Sequence, residues 1–283
     1  MNIPKLAVIL LLLLAQGCSL ITVGYNNLDV YLRYQINSYA TFTENQKITI
    51  RREVEKYLTW HRQHALPEYI IFLEDLLRLI KQAQPPKKSD AKRLRVRASA
   101  LYIMSVRPAI PPTAKFLSEL DEQQIAQLKE FFHTANKKRA QEWLGDSPEE
   151  NLHKRAQRTL DFIEDFVGNL DAKQRAEIRA ASLQLPLATK AFVAQREANQ
   201  ATLIMLLNNK AAADQIEAFL TSRLLTPALS RTEQEQSLIE AFQTATDEMV
   251  VHTFLSLNEK QKNTLQKTIV NYISDLKQLH EVQ

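Results

Sequence analysis

The chain has 283 residues, with 36 basic and 32 acidic side chains for a formal net charge of +4, one cysteine and four glycines. A balance this mild is not the footprint of a nucleic-acid binder, and a single cysteine excludes an intrachain disulfide framework, so stability must come from a core. Sheet proteins of this length need many glycine turns, and so few glycines point instead to an all-α chain.

Reading from the N-terminus, Lys5 precedes an apolar run from Leu6 to Ala15 and then Leu14-Ala15-Gln16-Gly17-Cys18-Ser19. The run is too short to cross a bilayer, and its flanks are those of a secretory signal. Its end resembles a lipobox, in which the thiol is acylated and cleavage frees the Cys amine for a further chain. Residues 1–17 are therefore expected to be a lipoprotein signal peptide, with Cys18 as the lipid attachment point of a periplasmic domain spanning 18–283. Several acyl chains at about 0.8 kcal/mol per buried methylene make a lasting anchor. Ser19 stands where Asp would favour inner-membrane retention, which implies the outer membrane.

Beyond Cys18, apolar residues recur at helical spacing: Leu28, Tyr31, Leu32, Ile36 and Tyr39, then Leu73, Leu76, Leu77 and Ile80. Ile125, Leu128, Phe131, Phe132 and Ala135 form a third stripe, and Ile216, Phe219 and Leu220 begin a fourth. Prolines at Leu66-Pro67, Gln84-Pro85-Pro86, Pro108 to Pro112, Pro148, Leu185-Pro186 and Thr226-Pro227 mark helix ends or kinks. The fold class predicted is an all-α, elongated multi-helix bundle.

One helix-start signal recurs. Phe42-Thr43 to Gln46, Leu120-Asp121 to Gln124, Leu170-Asp171 to Gln174 and Leu257-Asn258 to Gln261 share an apolar residue, a capping side chain and a Gln three residues on. The cap accepts from the first helical turn, and the Gln reaches back to the cap's own N–H. Ser147-Pro148-Glu149-Glu150 is a further box with proline at the favoured first position. The pattern accounts for well-capped helices, and its spacing also suggests a duplication into two similar helical halves, 26–145 and 147–283.

The densest polar and aromatic cluster is Trp60, His61, Arg62, His64 and Tyr69. His61 and His64 sit three apart on one helical face, a spacing compatible with a metal, but no further ligand accompanies them. The cluster reads as a helix end with structural roles; no metal, cofactor or catalytic residue is assigned. Lys87, Lys88, Lys92, Arg93, Arg95 and Arg97 form a basic run on a helix capped by Ser89, either a solvated face or a contact for anionic surfaces. Carboxylates such as Glu164-Asp165 are adjacent in sequence, so they diverge on a helix and do not form an acid–base pair.

Tyr25-Asn26 with Asp29, Trp60-His61-Arg62 with Leu66-Pro67 and Tyr69, Ser147 to Glu150 with Arg155, and Glu164 to Gly168 running into Leu170 and Gln174 resemble an uncharacterised family of proteobacterial lipoproteins. Phe166-Val167-Gly168 departs from its more typical Trp-Leu-Gly. Phe42-Thr43 to Gln46 and Leu120-Asp121 to Gln124 are also similar to the motif of periplasmic stress chaperones named for Leu-Thr-x-x-Gln. That likeness implies a small helical protein cradling unfolded clients without ATP.

The expectation is a non-enzymatic protein, lipid-anchored to the outer membrane and facing the periplasm, with a chaperone-like or envelope-maintenance role. Its partners would be the membrane, through the anchor, and unfolded or envelope proteins. Trp60, His61, Arg62, Tyr69 and Glu164 form its candidate functional surface. The rivals are a scaffold for one folded partner and an enzyme acting on cell wall or lipid, with His61, Arg62 and Glu164 lining a cleft.

Overall fold

The structure, a computed structural model, describes residues 20–144 and 147–281; Cys18 and the Gly145-Asp146 connection lie outside the described residues. The helices are α1 (Leu20–Asn26), α2 (Leu28–Asn37), α3 (Glu44–Trp60), α4 (Leu66–Ile80), α5 (Lys88–Val106), α6 (Ile110–Ser118) and α7 (Glu122–Trp143). They continue with α8 (Pro148–Val167), α9 (Ala172–Gln184), α10 (Thr189–Asn208), α11 (Ala213–Leu225), α12 (Glu233–Ser256) and α13 (Glu259–Glu281). Among the described residues there is no strand, and the chain is an all-α multi-helix bundle.

All four Gln-containing boxes form. Thr43, Asp121, Asp171 and Asn258 each accept from the backbone N–H of the Gln three residues on, and each Gln side chain accepts from its cap's N–H. The structure then pairs the boxes. Gln46 meets Gln124, amide to amide, at 3.0 and 2.7 Å, and Gln174 meets Gln261 at 2.8 Å in both directions. The second Gln of each pair also donates to the carbonyl two residues before the first cap: Gln124 to Thr41 and Gln261 to Asn169.

The helices between paired starts pack in a corresponding order. Counting α3 and α9 each as the first, the second helix of either set packs on the fifth of the other: α4 on α13, and α10 on α7. The third packs on the fourth in the same crossed manner: α5 on α12, and α11 on α6. Two of the cores therefore mix residues from both sides of the 145–147 connection, while Phe42, Ile50 and Val54 on one side and Leu160, Leu170 and Ile178 on the other form cores of their own. Ala114, Ile125 and Leu128 join Leu203, Ile204, Leu207 and Ile216 in one cluster, and Ile70 joins Ile269 and Ile273 in another. Burial of these side chains at about 25 cal/mol per Å² of apolar surface is the main force holding the bundle.

One local expectation is narrowed and another is revised. Pro67 does not end its helix: the chain runs from α3 into α4 through a π-helical turn, His61–Ala65, where Leu66 N–H bonds to His61 O. Ser89 is not a cap: α5 starts at Lys88, and the Asp90 carboxylate accepts from Lys87 N–H at 2.8 Å. The basic run is largely consumed in ion pairs, Lys88 with Glu248, Arg93 with Asp90, Arg95 with Asp247 and Arg97 with Asp75. Arg95 and Asp247 form a two-pronged pair, both contacts 2.9 Å, that ties α5 to a buried carboxylate on α12.

Candidate functional site

The π-turn arises where the sequence removes a donor. Pro67 has no N–H, so the Arg62 carbonyl has no partner five residues on. His280, one residue from the end of α13, fills the gap: its Nδ1 lies 3.1 Å from Arg62 O. The C-terminal helix is thereby clamped to the turn that carries the predicted cluster.

His61, Arg62 and Tyr69 are brought together there, and α1 supplies Tyr25. Tyr25 Oη lies 2.9 Å from His61 Nδ1, Tyr69 Oη 3.4 Å from His61 Nε2, and Tyr69 Oη 2.5 Å from Ser105 Oγ. Ser105 Oγ donates to Leu101 O at 2.8 Å. That last bond fixes the direction of the chain, because a carbonyl only accepts. Tyr69 must then donate to Ser105 and accept from His61 Nε2–H, which leaves Nδ1 to accept from Tyr25. Burial lowers the His61 pKa, in keeping with a neutral ring that has one donor and one acceptor. Burial also pushes the Tyr25 phenol up to about 12, against the opposing charge of Arg62, whose guanidinium lies 5.4 Å from the Tyr25 ring centroid. The Ser105 proton is committed to a backbone carbonyl, so this hydroxyl is not held as a nucleophile. The arrangement locks α1, the π-turn, α4 and α5 together.

Trp60 sits at the edge of this cluster, stacked on His64 at 5.7 Å with the rings 6° from parallel. Glu164 is engaged elsewhere. Its carboxylate accepts from Leu170 N–H at 2.9 Å and pairs with Arg175, so it fastens the α8–α9 connection. No group of three or more potential metal-ligating side chains occurs among the described residues.

A second feature was not anticipated from sequence. A cavity of about 580 Å³ opens between α4, α5, α8, α10, α12 and α13, with Trp143 from the end of α7 at its margin. Its walls are apolar: Leu76 and Leu79 from α4, Phe162 and Phe166 from α8, Phe192 from α10, and Phe242 and Met249 from α12. Phe162 and Val250 line it while 64% and 51% exposed, so the apolar surface reaches solvent. Among the described residues the only charged ones lining it are Arg155 and Arg158.

Arg155 is 7% exposed and lies on the inward face of α8 with Ala156 and Leu160. Its terminal nitrogens donate to Ser182, Leu185 and Pro186 carbonyls at 2.6, 2.8 and 3.0 Å, which closes the C-terminal end of α9. Its Nε is buried without a hydrogen-bond partner. Burial, and then the like charge of Arg158, lowers its pKa. Arg158 donates to Glu142 O at 3.2 Å and stands 5.3 Å from the Trp143 ring centroid, with Arg139 at 5.1 Å. The chain carries only a slight signal for this site: an arginine on the helical face that also holds Asn151, Ala156 and Leu160.

The chain belongs to DUF6279, a family of unknown function whose model matches residues 38–228. That span holds Trp60, His61, Arg62, Tyr69, Arg155, Arg158 and Glu164. No curated protein and no solved structure matches the chain.

Proposed function

We propose that this member of DUF6279 is a non-enzymatic binding protein of the bacterial envelope that takes a small apolar guest, of acyl-chain character, into the cavity bordered by α8 and α12. The cavity carries the reading. Its volume of about 580 Å³ falls in the ordinary range for small-molecule sites, roughly 300–1,000 Å³, and its walls offer apolar surface with a few polar groups. A half-enclosed space of this size suits a single chain better than a polypeptide client, which narrows the chaperone-like role to ligand holding.

The site of action in this proposal is the periplasmic face of the outer membrane, with Cys18 as the lipid attachment. The lipobox-like run before Cys18 supports the anchor. Its neighbourhood is also suited to a membrane surface: Val30, Tyr31 and Tyr34 form an exposed stripe on α2, with Val23 exposed on α1. Tyrosine with aliphatic neighbours favours the boundary between headgroups and acyl chains. No helix among the described residues is long and apolar enough to cross a membrane.

The two tryptophans are Trp60 and Trp143, so Trp60→Phe leaves a single reporter at the cavity margin. Titrating 1-dodecanol into this variant is expected to shift Trp143 emission saturably and to raise Tm. Glu at both exposed positions Phe162 and Val250 is expected to weaken binding about tenfold or more without unfolding the bundle. Absence of both the emission shift and the Tm rise with the Trp60→Phe variant sinks the proposal.

A further inference from the structure

The charges at the cavity are all of one sign. Arg155 and Arg158 line it, no Asp or Glu does, and among the described residues neither arginine has a carboxylate within ion-pair distance. Burying a guanidinium is costly unless its donors are met. Three of Arg155's terminal N–H groups donate to backbone carbonyls, yet its Nε–H, on a side chain more than nine-tenths buried, has no acceptor among the described residues. Arg158, one turn on along α8, is half-buried, with a single backbone acceptor and the face of Trp143 beside it.

We propose that the guest is an anionic amphiphile: an acyl chain along the phenylalanine-lined walls, with its negative headgroup at the Arg155 and Arg158 end. The inference rests on the cavity's being a binding site. An anionic oxygen at this end of the cavity neutralises two like charges that no carboxylate among the described residues pairs with, and finds a donor in the half-buried Arg158 guanidinium. Charge-assisted bonds of this kind are about twice as strong as neutral ones, and in an apolar surround they gain further. A cationic or zwitterionic head would set a positive group against the two arginines and is selected against. Arg139, on the other contact to Trp143, extends the positive field at the mouth.

The test compares guests of one chain length on the full-length body with Trp60→Phe: dodecanoate, dodecyl phosphate, 1-dodecanol and dodecylammonium. Dodecanoate or dodecyl phosphate is expected to bind about tenfold more tightly than dodecanol, and dodecylammonium more weakly than dodecanol. Whichever anion binds more tightly identifies a fatty-acid or a phospholipid source. Arg158→Gln is expected to reduce the anion's advantage over dodecanol to about threefold or less. Arg155→Lys serves as a second variant, keeping the charge while removing the planar fork that holds the α9 carbonyls. Equal binding of dodecanol and both anions overturns the headgroup assignment and leaves the cavity reading standing. Failure of every guest to bind overturns both.

Discussion

Gln174 and Gln261 donate to each other's side-chain oxygens at 2.8 Å across two helix starts. Every hydrogen-bonding position of the two amides is used. Gln174 Nε2 also reaches Ser256 O at 2.7 Å, Gln261 Nε2 reaches Asn169 O at 2.9 Å, and each oxygen accepts from its own cap N–H. Both residues are buried. Removing one partner strands buried donors and acceptors, so Gln174→Leu or Gln261→Leu alone is expected to cost about 1–3 kcal/mol. The double substitution leaves fewer stranded groups and is expected to cost less than the sum, with a coupling of about 0.5–3 kcal/mol. Urea denaturation of the four-member cycle measures it. Additive effects would show that the amides act as independent caps. The same cycle at Gln46 and Gln124 is expected to give smaller values, because Gln46 is only half-buried.

These starts were legible in the sequence because capping is local chemistry: a side-chain acceptor, three residues, a Gln. Their pairing was not, since nothing in Asp171 to Gln174 indicates that Asn258 to Gln261 lies beside it. The helical stripes were legible for the same reason, as at Ile125 and Leu128, which enter a core with Leu203 and Ile216. Trp60, His61, Arg62 and Tyr69 were visible as a local cluster. Tyr25 and Ser105 complete its hydrogen-bond chain from 36 residues away on either side, a tertiary fact. Pro67 was legible as a helix end or a kink but not as which of the two, because a helix can absorb the missing donor by widening one turn, given a remote group such as His280 at the Arg62 carbonyl. The cavity depends on six helices, and its local trace is slight: Arg155 on the inward face of α8, beside Ala156 and Leu160.

The Tyr25–His61–Tyr69 chain makes stability depend on pH at both ends. His61 has its folded pKa lowered from 6.5 by burial, so as pH falls below 6.5 the unfolded chain takes up a proton that the folded chain resists. Its contribution is full above pH 6.5 and is lost as pH drops toward the depressed folded value. Tyr25 runs the other way: burial raises it from 10.0 to about 12, so its contribution is full below pH 10.0 and is lost as pH rises through about 12. Urea midpoints at about pH 5, pH 7.5 and pH 11 for the wild type, His61→Gln and Tyr25→Phe resolve the two limbs. His61→Gln is expected to flatten the acid limb alone and Tyr25→Phe the alkaline limb alone. An acid limb unchanged by His61→Gln would show that the ring is not held neutral in the fold.

The crossed packing of α4 on α13 and α10 on α7 has a consequence for folding. We propose that the two helix sets arose by duplication of one unit whose copies exchanged their second and third helices. Such a chain has no independently stable half, because each half lacks the helices that cover its apolar faces. Residues 20–144 alone would leave Ile125 and Leu128 without Leu203, Ile204 and Leu207, and residues 147–281 alone would leave Ile269 and Ile273 without Ile70. Fully burying each such aliphatic side chain is worth about 1.5–3 kcal/mol, so several lost at once exceed the usual stability of a domain. The two segments, expressed separately, are expected to be partly helical by circular dichroism, with non-cooperative melts. Mixed after denaturation in equal amounts, they are expected to recover a one-to-one complex with a cooperative melt and to elute as the intact chain does in size-exclusion chromatography. Two segments that each melt cooperatively and stay apart when mixed would rule out the exchanged arrangement and leave two consecutive domains in its place.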